Sequence, residues 1–174
     1  MLDLAPIVIG LALAHGHKDT DRLRGVAEDI TSVSAESTLF CGPRQADATA
    51  LALVAVAEHE SGFWRRVQDC SVCDGVTGWC DRGRSISLWQ LHVGSGAWQG
   101  FTRAEVCSNN DIAARLALRI LERHRKASHP ASLFFGYARG ARIGAGREMF
   151  DIFSTLIRKA GIVVTYRDGC LHAR

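Results

Sequence analysis

The chain has 174 residues, of which 47% are hydrophobic and 22% are charged, and its formal net charge is +3. This length is typical of a single domain of about 100–200 residues, and the composition excludes an intrinsically disordered chain. No apolar stretch reaches the roughly 18 residues that a membrane-spanning helix needs, so we expect no membrane span.

The N-terminal segment contains an apolar run from Leu4 to Ala14, which ends in the signal-peptidase-like sequence Ala12-Leu13-Ala14. The residues before this run include Asp3 and neither Lys nor Arg, so the positive n-region of a signal peptide is missing. We therefore interpret the run as a first helix that packs on the core. A cleaved signal peptide is the alternative.

Apolar spacing predicts a second helix from Asp21 to Ile30 and a third from Arg44 to Glu60. The third segment is apolar nearly all round, which indicates a helix at the centre of the core. Residues 68–85 show little periodicity, and we expect a loop or a small hairpin there.

Three further features complete the predicted elements. Asn110-Asp111 is expected to cap a helix, and Pro130 opens a short helix. A last helix is predicted over about Arg147 to Ala160, and residues 162–166 form a short strand or an extended tail. The pattern as a whole predicts one mainly α domain spanning residues 1–174.

The six cysteines allow up to three disulfides, whose pairing the sequence does not determine. Cys70, Cys73 and Cys80 form a local cluster, for which we favour disulfide bonding and therefore an oxidising compartment. The alternatives are free buried thiols and a zinc site with a fourth ligand such as His92 or Cys107. We expect no metal and no cofactor.

The residue most suited to chemistry is Glu60, at the C-terminal end of the most apolar predicted helix. The negative end of a helix dipole disfavours a carboxylate, and the neighbouring aromatic residues Phe63 and Trp64 would exclude water. Both effects favour the protonated acid near neutral pH, which is the state that a general acid needs.

Four blocks of sequence, in this order, resemble the motifs of soluble lytic transglycosylases and goose-type lysozymes. Glu60-Ser61-Gly62-Phe63 looks like their Glu-Ser-x-Phe motif, and residues 87–91 (SLWQL) are similar to their Gly-Leu-Met-Gln-Ile block. Residues 110–121 resemble the start of their next core helix, and residues 137–140 (YARG) resemble their Tyr-Asn-x-Gly motif. The resemblance covers about residues 45–142, whereas we expect residues 1–40 and 143–174 to be helical extensions.

The resemblance implies a lysozyme-like α-helical domain with a loop or hairpin insert between the catalytic Glu60 and the Gln90 block. It implies cleavage of the β-1,4 bond between N-acetylmuramic acid and N-acetylglucosamine in peptidoglycan, with Glu60 as the general acid. The residues that it implies for substrate binding are Ser61, Ser87, Trp89, Gln90 and Tyr137.

The type of reaction remains open between two alternatives. A lytic transglycosylase needs one carboxylate and gives 1,6-anhydro products, and it is the reaction that we favour. A hydrolytic goose-type lysozyme would use a second carboxylate, for which the candidates are Asp69, Asp74 and Asp81. A third alternative is a non-catalytic domain that binds glycan or protein. It is suggested by Ser87 and Ala138, which depart from the family's motifs.

We expect the partners to be peptidoglycan glycan strands, which the protein meets as a monomer. It would act on the cell wall as a periplasmic, secreted or phage virion or lysis protein, without a convincing signal peptide. The 18 arginines are scattered among 18 acidic residues and no nucleic-acid module is recognised, so we expect no nucleic-acid partner. A basic surface on the protein would raise the local concentration of an anionic cell-wall substrate.

Overall fold

The computed structural model describes residues 1–73, 76, 80–92, 100–124, 129–138 and 144–174. These residues form a mainly helical structure, which confirms the predicted class. The helices are α1 (Ala5–Ala14), α2 (Thr20–Ala35), α3 (Gln45–Ser61), α4 (Arg65–Gln68), α5 (Cys80–Gly83), α6 (Arg103–Ser108), α7 (Asn110–Glu122), α8 (Ala131–Tyr137) and α9 (Ala145–Lys159). The strands are β1 (Ser85–Ile86), β2 (Leu91–His92), β3 (Val164–Arg167) and β4 (Cys170–Ala173).

Helix α3 occupies the centre of the structure. Every residue from Asp47 to Ala57 is buried, and α2, α7 and α9 all pack against this helix. A helix that is apolar on all sides has no favourable contact with water and is stable only when other elements surround it. The apolar composition of this segment therefore determines its central position. That position in turn determines where the C-terminal end of α3 lies.

Local side-chain bonds define where two of the helices begin. Asp19 Oδ1 accepts a hydrogen bond from Arg22 N at 3.2 Å before α2, and Asn109 Oδ1 accepts one from Ile112 N at 3.1 Å before α7. Such side-chain acceptors satisfy amide groups that have no partner within the helix. The cap of α7 is therefore Asn109, one residue before the predicted Asn110-Asp111.

The N-terminal segment is helical, as we expected of residues 1–40, and it contributes to the core. Val8 and Ala12 of α1 are buried, and α1 packs against α2 and α3. The turn after α1 carries His15 and His17 to the C-terminal end of α3. The segment therefore contributes to the core and also places two histidines at the C-terminal end of α3.

The prediction of a helical extension is wrong for the end of the chain, because β3 and β4 form an antiparallel hairpin after α9. Asp168 and Gly169 form its two-residue turn, with φ values of 53° and 79°. An Asp-Gly pair adopts these positive φ angles readily and is typical of the type I′ hairpin turn. The alternative of a short strand after residue 162 is closer to the structure.

Three disulfides pair all six cysteines: Cys41 with Cys170, Cys70 with Cys107, and Cys73 with Cys80. Within the predicted cluster, Cys73 and Cys80 pair with each other, whereas Cys70 pairs with Cys107 of α6. No cysteine sulfur is left as a thiolate for the zinc alternative.

Strands β1 and β2 form a small antiparallel hairpin over residues 85–92, which contains Gln90 and follows the segment 68–85 where we expected a loop or small hairpin. Residues 74, 75 and 77–79 of this segment lie outside the described residues. Among the residues that the structure describes, no helix is both long and apolar enough to cross a membrane.

Candidate active site

A cavity of about 590 Å³ opens at the C-terminal end of α3. Residues from the end of α3, the turn after α1, the region of α4 and the tip of the β1–β2 hairpin surround it. The lining residues are His15, His17, Glu58, His59, Glu60, Ser61, Gly62, Trp64, Val67, Cys80 and Gln90. The cavity thus contains the predicted catalytic acid and Gln90, which are 30 positions apart in sequence.

Gly62 ends α3 in a left-handed conformation with a φ of 54°. A side chain at this position would also meet the imidazole of His15, since an added Cβ would lie 3.1 Å from the ring. The Ser61 hydroxyl donates to Ala57 O at 2.8 Å and accepts from Phe63 N at 3.2 Å. Ser61 therefore lines the cavity, as expected of a substrate-binding residue, but its hydroxyl already has partners at the helix end.

The side chain of Glu60 is 20% exposed, and its titratable neighbour is His59. His59 Nδ1 lies 3.6 Å from Glu60 Oε1, and His59 Nε2 lies 3.0 Å from Glu148 Oε2 on α9. Contact with Glu60, and to a smaller extent with Glu148, raises the pKa of His59 against the opposing effect of burial. The imidazole of His59 therefore lies between the carboxyl groups of Glu60 and Glu148 and connects α3 to α9.

Gln90 occupies the tip of the β1–β2 hairpin, where its backbone has a left-handed φ of 46°. Its amide Nε2 donates to Ser87 O at 3.2 Å, while the side chain faces the cavity. The Tyr137 hydroxyl donates to Trp89 O at 2.6 Å and thereby holds this tip against α8. Burial, and then the charge of Glu60, raise the pKa of Tyr137, so this phenol stays neutral.

The structure contradicts two of the expected substrate contacts. Trp89 is fully buried and its indole Nε1 donates to Leu53 O at 3.0 Å, so it is not available to stack on a sugar. Ser87 is also buried, and its hydroxyl accepts from Trp89 N at 3.4 Å. The hairpin tip directs residues 87–89 into the core and leaves Gln90 on the cavity side.

The structure does not bring the proposed second carboxylates to the cavity. Asp69 Oδ1 accepts from Ser71 N at 2.9 Å, and Asp81 Oδ2 accepts from the Ser85 hydroxyl at 2.9 Å. Both side chains stabilise turns, and neither lines the cavity that contains Glu60. The third candidate, Asp74, lies outside the described residues.

Glu58 is a second cavity carboxylate that the sequence analysis missed. Its Oε1 lies 2.8 Å from His15 Nε2, and its Oε2 is buried with no hydrogen-bond partner among the described residues. His17 lies nearby, and burial lowers its pKa. The one available signal was the run Glu58-His59-Glu60, in which charged residues interrupt an otherwise apolar helix.

The described residues contain no group of three or more His, Cys, Asp or Glu side chains that could hold a metal ion. The chain matches no protein-family model, no curated protein and no solved structure at a significant level. The chemistry of the cavity and the order of the sequence motifs are therefore the basis for assigning a function.

Proposed function

We propose that the protein is a lysozyme-like enzyme that cleaves the β-1,4 bond between N-acetylmuramic acid and N-acetylglucosamine in peptidoglycan. The observation that carries this proposal is the meeting of Glu60 and Gln90 in one cavity, with Tyr137 holding the hairpin tip next to Gln90 through its hydrogen bond to Trp89 O. These residues come from three of the four sequence blocks that resemble lytic transglycosylases and goose-type lysozymes. A half-open cavity beside a carboxyl group suits a polymeric substrate.

In the proposed first step, Glu60 donates its proton to the glycosidic oxygen as the bond to C1 of the muramyl residue breaks. Positive charge then develops at C1 in an oxocarbenium-like state, and the oxygen of the substrate's own N-acetyl group assists by attacking C1. Glu60 is left as a carboxylate. His59 Nδ1 lies 3.6 Å away and would compensate this carboxylate when the imidazole is protonated.

In the second step, the Glu60 carboxylate accepts the proton of the muramyl 6-hydroxyl while that oxygen attacks C1. The bond from C1 to the N-acetyl oxygen breaks, and a 1,6-anhydro product forms without consuming water. This route needs one carboxylate, which serves first as acid and then as base. We favour it because Asp69 and Asp81 do not line the cavity.

Hydrolysis is a second candidate because Glu58 also lines the cavity. A second carboxylate can activate water when the two carboxyl groups are about 6.5–9.5 Å apart, as in inverting glycosidases. His15, 2.8 Å from Glu58, would orient this residue. The product would then carry a reducing end in place of the anhydro ring.

Digestion of purified peptidoglycan, followed by mass spectrometry of the products, tests the proposal. We expect anhydro ends, which are lighter by one water than the hydrolysed products. Glu60→Gln should reduce product release by at least about 100-fold, since general acid catalysis contributes about 10²–10⁴. Glu28→Gln, the same change at an exposed position of α2, is the matched control and should keep full activity.

Three outcomes would change this conclusion. Equal activity of the wild type and Glu60→Gln would exclude Glu60 as the acid. Reducing ends that disappear in Glu58→Gln would establish the hydrolytic route. An inactive wild type that still binds glycan strands across a range of pH and salt would identify a binding domain.

A further inference from the structure

The net positive charge of the chain is concentrated at its C-terminal end. Residues 158–174 contain Arg158, Lys159, Arg167 and Arg174 against a single acid, Asp168. Their net side-chain charge of +3 equals that of the whole chain, so the other residues are neutral on balance. The basic character of the protein is therefore local, and it lies on the end of α9 and the β3–β4 hairpin.

The register of the hairpin places two of these arginines and one histidine on one face. Leu171 and Ala173 are buried and define the inner face. Side chains alternate between the two faces of a strand, so His172 and Arg174 lie on the outer face. Arg167 pairs with Cys170, which is also on that face. We refer to Arg167, His172 and Arg174 as the basic face.

A groove of about 380 Å³ accompanies this basic face. Its lining residues are Pro43, Thr165, Tyr166, Arg167, His172, Ala173 and Arg174. The side chain of Arg167 is 72% exposed, and its ion pair with the exposed Asp168 is 3.1 Å long. Exposed ion pairs contribute little stability, so an anionic ligand can compete for this guanidinium. Tyr166, which pairs with Leu171 and is therefore on the opposite face of β3 from Arg167, also lines the groove and is 44% exposed.

The hairpin is fixed to the rest of the structure far from the candidate active site. The Cys41–Cys170 disulfide and the hydrogen bond from Ala173 N to Cys41 O, 2.8 Å long, attach it to the segment before α3. Arg44 N, next to the start of α3, also donates to Ala173 O at 3.2 Å. Glu60 lies at the opposite end of this 17-residue helix, which is about 25 Å long at 1.5 Å per residue.

We propose that the basic face is a docking site for a phosphodiester-linked anionic polymer attached to the cell-wall glycan. Arginine is the side chain best suited to phosphate, because its planar guanidinium donates two parallel hydrogen bonds. Docking at this distance from Glu60 would keep the enzyme on the wall while the glycan strand enters the cavity. The choice of a wall polymer as the ligand rests on the function proposed above.

The aromatic content and the size of the groove favour this ligand over a nucleic acid. The groove contains one exposed aromatic side chain, whereas proteins that bind single strands stack successive bases on several aromatic side chains. The basic face is also short, since its three residues lie on two four-residue strands or next to them. It fits a flexible chain of phosphate groups better than it fits a duplex.

The experiment measures binding separately from cleavage. Glu60→Gln protein, which should leave the glycan intact, is sedimented with walls that retain their phosphodiester polymer and with walls stripped of it by hydrofluoric acid. A second arm titrates the released polymer, free of peptidoglycan, in a salt series. Arg167→Gln/Arg174→Gln is compared with Arg24→Gln/Arg119→Gln, which removes the same charge from exposed positions on α2 and α7.

We expect at least about tenfold tighter binding to the polymer-bearing walls, lost in Arg167→Gln/Arg174→Gln and kept in the control variant. The slope of log affinity against log salt should fall by about 1.4, since each lost phosphate contact with a single-stranded polyanion removes about 0.7.

Equal losses in both double variants, or equal binding to both wall preparations, would overturn the proposal. Tighter binding to duplex DNA than to the released polymer would also overturn it. Because the released polymer contains no glycosidic substrate, this arm can succeed even if the proposed cleavage reaction is wrong.

Discussion

The three disulfides should differ in their contribution to stability because they close loops of very different length. Cys41 and Cys170 are 129 residues apart, Cys70 and Cys107 are 37 apart, and Cys73 and Cys80 are 7 apart. In the chain-entropy model, a cross-link destabilises the unfolded state by an amount that rises with the logarithm of loop length. The Cys41–Cys170 bond should therefore contribute most.

These separations give contributions of about 5 kcal/mol for Cys41–Cys170, about 4 kcal/mol for Cys70–Cys107 and about 2.5 kcal/mol for Cys73–Cys80. For a chain of this size, 1 kcal/mol shifts the midpoint of thermal unfolding by about 2–4 °C. Replacing Cys41 and Cys170 together by alanine should thus lower Tm by about 10–20 °C. Replacing Cys73 and Cys80 should lower it by about half as much.

Denaturant unfolding of the three double-alanine variants measures this order directly, provided that each transition is two-state. A matched set of double-serine variants is the control, because loop entropy is independent of the replacement whereas local packing is not. If removing the Cys73–Cys80 bond costs as much as removing Cys41–Cys170 in both sets, loop closure does not set the stability of this fold.

Two further predictions concern the candidate active site. Because the pKa of His59 is raised in the folded state, its stabilising contacts are complete below about pH 6.5, the ordinary histidine value. They are lost as the pH rises through the raised folded value. Histidine NMR titration and unfolding as a function of pH should show this loss. Glu148→Gln should make the loss smaller, and an unchanged His59 titration in that variant would refute the contact between His59 and Glu148. Gly62→Ala should destabilise the protein by about 1–2 kcal/mol for its left-handed conformation, plus a further cost for contact with His15. Gly161→Ala is the control, because Gly161 also has a positive φ but no neighbouring atom within 4 Å of an added Cβ. If denaturant unfolding shows the same loss of stability for both variants, the His15 contact adds no cost at Gly62.

The helical part of the fold could be predicted because its sequence signals are strong and local. The segment that forms α3 is apolar on every side, and α9 begins within two residues of the predicted Arg147. The β3–β4 hairpin was harder to predict because β3 is exposed along most of its length. It therefore lacks the alternation of buried and exposed residues by which strands are recognised. The pair Asp168-Gly169 was the usable signal.

The candidate site could be predicted only in part, because sequence motifs do not specify which way a side chain faces. Gln90 faces the cavity and Trp89 faces the core, although they are adjacent. Positive φ angles at Ser87 and Gln90 produce this division, and non-glycine residues give no local indication of such angles. His15 and Glu58 were missed because their contact depends on the packing of α1 against α3, 43 positions apart.

The position of His59 gives a physical reason to favour the one-carboxylate route. That route requires Glu60 to persist as a carboxylate between two proton transfers, and His59 would stabilise this state whenever its imidazole is protonated. Glu148, on the other side of the imidazole, is 44% exposed and connects it to solvent. The hydrolytic route instead requires Glu58 to activate water, although its Oε1 already contacts His15 and its Oε2 is buried. Both residues line the cavity, but Glu58 would have to move before it could act as a base, whereas Glu60 lies 3.6 Å from His59 Nδ1.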